Sequence, residues 1–302
     1  MIFTIAIPTY NNGHVIRAAV ESCINQDFDM EYEVLVSNNH CTDNTQDILD
    51  DYAGKIRVLI NPDTVTPAEN HNICLREAKG DYIVFCHSDD RLLPDALTKF
   101  YRILSKRGFP KKYVVWGRSM YRDYYYNWRK TDLRLDQICA GPDCFKAFFA
   151  GGLAPTGTCY SRASFQEAGG FIYVEHRVAP IDMIVLWRLV LKHFEFEMTG
   201  HIFYIREFAS TVVELATKEW LSSATEAVNR FLQIITEHER KLFISYVRSS
   251  GTSNFETYLA FMKAGLVSRG YLVKNLVVYV AHKPLNLFNR NCWKLFGKMI
   301  TW

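Results

Sequence analysis

Short apolar runs alternate with amphipathic stretches along the first part of the chain. Phe3 to Ile7 is a strand-like run ended by Pro8. Val15, Ile16, Ala19, Val20, Cys23 and Ile24 then recur at helical spacing. Glu33 to Val36 predicts a second strand. Residues 43–52 predict a helix capped by Thr42 or Asp43, with Ile48, Leu49 and Tyr52 on one face. Ile56 to Ile60 is a third strand, and residues 67–79 form a helix stopped by Gly80. Tyr82 to Cys86 is nearly all apolar, as in a strand covered on both faces. Pro94 to Ser105 predicts a helix with proline near its first turn, and Tyr113 to Trp116 a fifth strand.

This β-α-β-α order predicts an α/β fold with a doubly wound sheet flanked by helices. Ligands of such sheets bind beyond the carboxyl ends of the strands. Four polar clusters follow the predicted strands: Thr9-Tyr10-Asn11-Asn12, Ser37-Asn38-Asn39-His40, Asn61-Pro62-Asp63 and His87-Ser88-Asp89-Asp90. All four are expected to line one edge of one sheet.

Residues 118–160 are aromatic and loop-rich. Residues 181–193 predict a helix and 194–205 extended structure. Beyond these, long helical patterns cover 218–248, 254–268 and 270–300, so a boundary is expected near residue 215. There is no internal repeat and no low-complexity segment.

Composition narrows the functional classes. Lys and Arg number 35 against 32 Asp and Glu, a net charge of +3, which argues against a strongly basic nucleic-acid binder. Aromatic residues make up 14%, enough to leave some for ligand or membrane surfaces. The eight cysteines form no CxxC pair, so a zinc ribbon is not expected. The first residues lack a basic region and a cleavage site, so no signal peptide is expected, the thiols are expected to stay reduced, and the location to be cytoplasmic. No apolar run approaches the ~18 residues of a membrane span.

Adjacent carboxylates at the end of a buried strand, Asp89 and Asp90, can hold a divalent cation and a ribose hydroxyl. They would precede a helix, and a solvated helix cap explains an isolated pair equally well. Three further polar clusters on the same edge favour a site.

Several segments, in order along the chain, bear on identity. Ile5-Ala6-Ile7-Pro8-Thr9-Tyr10-Asn11 resembles the opening strand of family-2 glycosyltransferases with the GT-A fold. Val36-Ser37-Asn38-Asn39-His40-Cys41-Thr42-Asp43 resembles that family's Val-Asp-Asp-Gly-Ser-Thr-Asp segment, and Ala78-Lys79-Gly80-Asp81-Tyr82-Ile83 its step into the metal-binding strand. His87-Ser88-Asp89-Asp90 falls at its Asp-x-Asp-type motif. Gly169-Gly170-Phe171 and Ile181-Asp182, then Leu186-Trp187-Arg188, resemble its later motifs. The order of the segments carries more than any one of them.

The resemblance implies a GT-A domain over 1–215, with a nucleotide-sugar half to about 117 and an acceptor half over 118–215, then a helical extension over 216–302. It implies an inverting hexosyl transfer from a nucleoside-diphosphate sugar, a UDP-sugar by preference, to a glycan or lipid-linked acceptor in bacterial surface-polysaccharide synthesis. Pro8, Thr9 and Tyr10 would lie against the base and ribose, with Asn38 and Asn39 reading the base. His71 falls where the family often carries arginine, on the donor side. Asp89 would lie near the ribose, Asp90 would bind Mn²⁺ or Mg²⁺, and Asp182 would be the catalytic base. Arg188 would brace the site, and His176 lies in the expected acceptor loop.

The chain departs from the family pattern in places. Asn38 and Asn39 replace acids, His87 replaces the first Asp of the metal motif, and Phe208 stands where a histidine is often found. His87 is read as a hydrogen-bonding neighbour rather than a ligand. Residues 271–302 are basic and aromatic without an acid, which suits peripheral contact with an anionic membrane face or packing on the domain. Two other readings are a sugar nucleotidyltransferase and a non-catalytic sugar-nucleotide scaffold. The first lacks a basic loop after the first strand. A dehydrogenase is not expected, since no GxGxxG follows a strand.

Overall fold

The computed structural model describes residues 1–121, 137–144, 156–175, 181–206, 224–249, 260–268 and 270–271. Its centre is one nine-stranded mixed sheet. The strands are β1 (Phe3–Thr9), β2 (Tyr32–Asn38), β3 (Arg57–Ile60), β4 (Tyr82–Phe85), β5 (Asp90–Leu92), β6 (Tyr113–Tyr121), β7 (Gln137–Ala140), β8 (Thr158–Ser161) and β9 (Glu195–Arg206). Their order is β3-β2-β1-β4-β8-β6-β9-β5, with β7 also pairing β9. The first four strands are mutually parallel, joined by crossover helices α1 (Gly13–Ile24), α2 (Thr45–Asp50) and α3 (Pro67–Glu77). Strand β8 runs antiparallel to β4 and β6, and β5 antiparallel to β9.

Strand side chains point alternately to the two faces, and both faces are apolar. Phe3, Ile5, Ile7, Val34, Val36, Tyr82 and Val84 join one cluster, which α1 and α4 (Ala96–Lys106) cover with Ile16, Val20, Leu97, Phe100 and Leu104. Ala6, Leu35, Ile83, Phe85 and Val114 join the other, under α3, α5 (Arg162–Glu167) and α6 (Ile181–Leu191). The helices past residue 224 belong to this second cluster. Trp187 of α6 meets the rings of Phe231, Phe243 and Phe261 at 5.6, 5.3 and 5.5 Å.

The structure corrects several expectations. Asp89 and Asp90 do not lead straight into a helix: Asp90 opens the three-residue β5, and α4 starts only at Ala96. A three-residue strand is too short to leave a periodic signal. The fifth expected strand continues past Trp116 to Tyr121, with register shifts against β9 around Arg118. Glycine is needed inside it, because a Cβ at Gly117 would lie 2.2 Å from the Phe203 ring. The helical pattern over 218–248 is broken: helix covers 224–234, and α7 (Glu237–Ser249) starts afresh. Thr236 and Glu239 form a capping box at that break, Oγ1 accepting from the Glu239 N–H at 3.2 Å and Glu239 Oε2 accepting from the Thr236 N–H at 2.8 Å. The helix expected over 254–268 has turned by residue 264 among the described residues.

The thiol expectation is also corrected. Cys139 and Cys144 form a disulfide, because the turn after β7 brings their Cα atoms to 5.2 Å. Cys23, Cys74, Cys86 and Cys159 are free and buried. The expected boundary near 215, and the tail beyond 271, lie outside the described residues. Among the described residues no helix is long and apolar enough to cross a membrane.

Candidate functional site

The parallel register sets the site. Pro8 pairs with Ser37 and Thr9 with Asn38, so β1 and β2 end side by side. Thr9 is buried, and its Oγ1 has no hydrogen-bond partner within the protein. Tyr10 follows with its ring exposed. Asn11 takes a left-handed φ of 49° and accepts from the Thr42 N–H at 2.8 Å. Asn12 donates to Ser88 Oγ at 2.6 Å, and Asp43 Oδ2 accepts from the Gly13 N–H at 2.9 Å. These bonds tie the loops after β1, β2 and β4 together.

The loop after β3 joins through buried amides. Asn39 Oδ1 accepts from Asn61 Nδ2 at 3.1 Å and from the Val65 N–H at 2.8 Å, while its Nδ2 donates to the Val65 carbonyl at 2.9 Å. The backbone of Val65 thus fixes the orientation of the amide. Asn39 is left with one free N–H and no free acceptor lone pair. Asn38 donates to Gln46 Oε1 and accepts from the Cys41 N–H, both at 2.8 Å. Both residues stand where the sequence reading puts them, but most of their bonding capacity is spent inside the protein. Asn70 of α3 underlies the network: its Oδ1 accepts from Ser37 Oγ at 2.7 Å and Asn61 Nδ2 at 3.1 Å. All four polar clusters therefore converge on one edge.

Beside them lies a pair of imidazoles. His71 of α3 is buried, with Nδ1 2.7 Å from the Pro67 carbonyl and Nε2 3.1 Å from His87 Nε2. Burial, reinforced by His87, lowers its pKa to about 3, so the ring is neutral. His71 also packs against Phe171 at 4.7 Å and Phe85 at 5.4 Å. His87, Asp89 and Asp90 each offer a ligand atom, all within 4.8 Å of one another. Burial raises the Asp90 carboxyl above its ordinary value and Asp89 adds to this, while His87, Thr156 and Arg206 oppose it. A buried carboxylate beside a second carboxylate and an imidazole suits a divalent cation, whose charge would stabilise both anions.

Asp182 lies in the first turn of α6, its Oδ1 accepting from the Met183 N–H at 3.0 Å. It keeps some accessible surface, yet the protein around it raises its pKa by desolvation. Arg206 and His87 counter this shift, as they do at Asp90. The two carboxyl groups therefore share one electrostatic neighbourhood although they lie far apart in sequence. Arg188, expected to brace the site, bonds to the turn before Phe171 rather than to a residue of the cluster. Its guanidinium donates to the Gly169 carbonyl at 2.9 Å and holds the turn before Phe171, whose backbone is clamped by Asn72 at 2.8 and 2.9 Å. His176 and Phe208 lie outside the described residues.

Sequence reasoning missed Arg206, Thr156 and Asn70. Thr156 Oγ1 accepts from the His87 N–H at 3.1 Å. Arg206 enters through the pairing of β9 with β5, and no local motif marks it.

The profile of Glycosyl transferase family 2 matches residues 4–169, more than half of the chain. The poly(ribitol-phosphate) beta-glucosyltransferase of Bacillus spizizenii is 35% identical over 106 residues, which is 33% of this chain and 17% of that protein. The chain thus spans under a fifth of that relative's length. Two solved structures share the fold. One is Staphylococcus aureus TarS 1–349 in complex with UDP-GlcNAc, at a TM-score of 0.64 and 16% identity over 90% of this chain and 83% of that one. The other is the mannosyltransferase PcManGT from Pyrobaculum calidifontis with GDP-Man and Mn²⁺, at a TM-score of 0.61 and 16% identity over 97% and 84%. The expected GT-A type of mixed sheet flanked by helices holds. With the profile running through β1, the amide network and the His87–Asp90 cluster, the chain belongs to glycosyl transferase family 2.

Proposed function

We propose that the chain is an inverting, metal-dependent glycosyltransferase that moves a hexosyl group from a nucleoside-diphosphate sugar to a hydroxyl of a glycan or lipid-linked acceptor. The observation that carries this reading is the neighbourhood shared by Asp90 and Asp182, with His87 and Arg206 acting on both. Asp90, with Asp89 and His87 beside it, would hold Mn²⁺ or Mg²⁺. When bound, the cation would neutralise charge on the diphosphate leaving group.

Asp182 takes the proton from the acceptor hydroxyl. The oxygen attacks the anomeric carbon as the bond to the diphosphate breaks, and the nucleoside diphosphate departs with that electron pair. A base with a raised pKa suits the task, because it holds the abstracted proton more readily. Thr9 Oγ1, buried without a protein partner, offers a hydrogen bond to the donor, and the exposed Tyr10 ring offers a stacking face to a base. Asn38 and Asn39 each keep an amide N–H for a base carbonyl, which is compatible with the preferred UDP-sugar. The complex of TarS with UDP-GlcNAc supports that preference, and the Mn²⁺ of the mannosyltransferase complex supports the metal.

The poly(ribitol-phosphate) relative supports an acceptor in surface-polysaccharide synthesis; the proposed place of transfer is the cytoplasmic face of the membrane. Residues 271–302 would supply the membrane contact. Truncation after residue 268 should then remove vesicle binding and transfer to lipid acceptors, with donor hydrolysis intact.

Calorimetric titration with UDP, GDP, TDP and CDP, each with and without Mn²⁺, tests the donor site. Metal-dependent binding of one nucleotide is expected. Binding of none would return the chain to the scaffold reading, in which the substitutions at Asn38, Asn39 and His87 have disabled the site.

A further inference from the structure

We infer that His87 serves the metal as a nitrogen ligand through Nδ1, with the ring held in that tautomer by His71 and the Pro67 carbonyl. The inference rests on the metal-dependent reading above. The hydrogen bonds themselves decide the tautomers. A carbonyl oxygen only accepts, so the nitrogen of His71 that lies 2.7 Å from the Pro67 oxygen, Nδ1, carries the proton. The 3.1 Å contact between His71 Nε2 and His87 Nε2 requires one donor and one acceptor. His71 is enclosed by Phe85 and Phe171, where a neutral ring is favoured, so its Nε2 holds a lone pair. His87 must then donate from Nε2. In the neutral His87 ring the remaining lone pair sits on Nδ1, the nitrogen that His71 does not engage.

This is how a ligating histidine is usually held: the second nitrogen gives its N–H to a fixed acceptor, which orients the ring and raises its basicity. The acceptor here is a second imidazole, itself anchored to the turn that opens α3. The backbone of His87 is held as well, by Thr156 Oγ1. One ring nitrogen of His87 lies within 4.8 Å of ligand oxygens of Asp89 and Asp90, so that Nδ1 would complete a mixed nitrogen and oxygen set.

Selectivity follows from the donor type. Replacing a carboxylate by imidazole keeps a ligand but removes one negative charge. Mg²⁺ prefers oxygen and depends on that charge, whereas Mn²⁺, Co²⁺ and Zn²⁺ accept imidazole readily. The site is therefore selective for a transition ion over Mg²⁺, and His71 is a positioning residue for that preference.

The test is Mn²⁺ binding to the full chain, with and without each nucleoside diphosphate, followed by pulsed electron paramagnetic resonance. The expected spectrum carries ¹⁴N coupling of an imidazole to bound Mn²⁺. His87→Asp should keep Mn²⁺, lose that coupling, and bind Mg²⁺ on the order of tenfold better relative to Mn²⁺. His71→Phe should weaken Mn²⁺ about 10- to 100-fold in the parent, and far less in the His87→Asp background. Circular dichroism would check that each variant is folded, and a parent spectrum without nitrogen coupling decides against the inference before any variant is made. Bound Mn²⁺ without nitrogen coupling, or coupling that survives His87→Asp, overturns the inference and leaves the metal reading standing. Failure of the parent to bind Mn²⁺ with any nucleotide overturns both.

Discussion

Asp90 and Arg206 stand opposite each other across the antiparallel pair of β5 and β9. The same arginine acts on Asp182, so one cation tunes both the proposed metal carboxylate and the proposed base. Burial raises Asp182, and Arg206 partly offsets that rise. Arg206→Gln should raise the carboxyl further. Transfer requires the ionised base and is lost as pH falls through its pKa, so the acid limb of the kcat profile should move to higher pH. A limb that stays in place would remove Arg206 from this role.

The two carboxylates should separate by readout. Asp182→Asn is expected to lower kcat by about 10²- to 10⁴-fold, the usual share of a general base, with donor binding kept. Asp90→Asn should instead abolish the Mn²⁺ dependence of nucleotide binding. Calorimetry and turnover on the same two variants check this, and equal behaviour of both would contradict the division of labour.

Gly80 lies where the chain enters β4 against the start of β1. A Cβ there would fall 2.5 Å from the Thr4 backbone nitrogen and 2.6 Å from the Phe3 carbonyl carbon. Both are backbone atoms inside the sheet and cannot swing away. Gly80→Ala should therefore destabilise the fold by about 1–3 kcal/mol, as overpacking does elsewhere, visible as a lower denaturant midpoint.

Asn70 collects Ser37 and Asn61 beneath the donor edge. Asn70→Ala leaves both donors buried without their acceptor, at about 1–3 kcal/mol for each group left unsatisfied. A lower Tm together with weaker nucleotide binding is expected. A variant as stable as the parent would mean that water replaces the amide.

Much of this was legible in the sequence, and the reasons differ by element. Strands β1, β2 and β4 show as apolar runs because both faces of the sheet are covered, and the polar residues after them mark the edge where loops meet. Strands β5, β7 and β8 are three or four residues long and pair with partners distant in sequence, so their pattern is lost among loops. The pairing of Asp90 with Arg206 was hidden for the same reason. Composition could name Asn38 and Asn39 as amides, but only three dimensions show that Val65, Gln46 and Cys41 take up most of their capacity.

The two faces of the sheet close at different points along the chain. Among the described residues, one cluster is nearly complete by Val115 and lacks only Cys159, Phe203 and Tyr204. The other waits for Phe231, Phe243, Phe261 and Val267. A nascent chain therefore emerges with one side sealed while Trp187 still lacks the rings that cover it, an interval in which exposed apolar surface favours aggregation. A fragment ending near 215 would be frozen in that half-shielded condition and should aggregate on expression, whereas one ending at 268 keeps the lid and should remain dispersed.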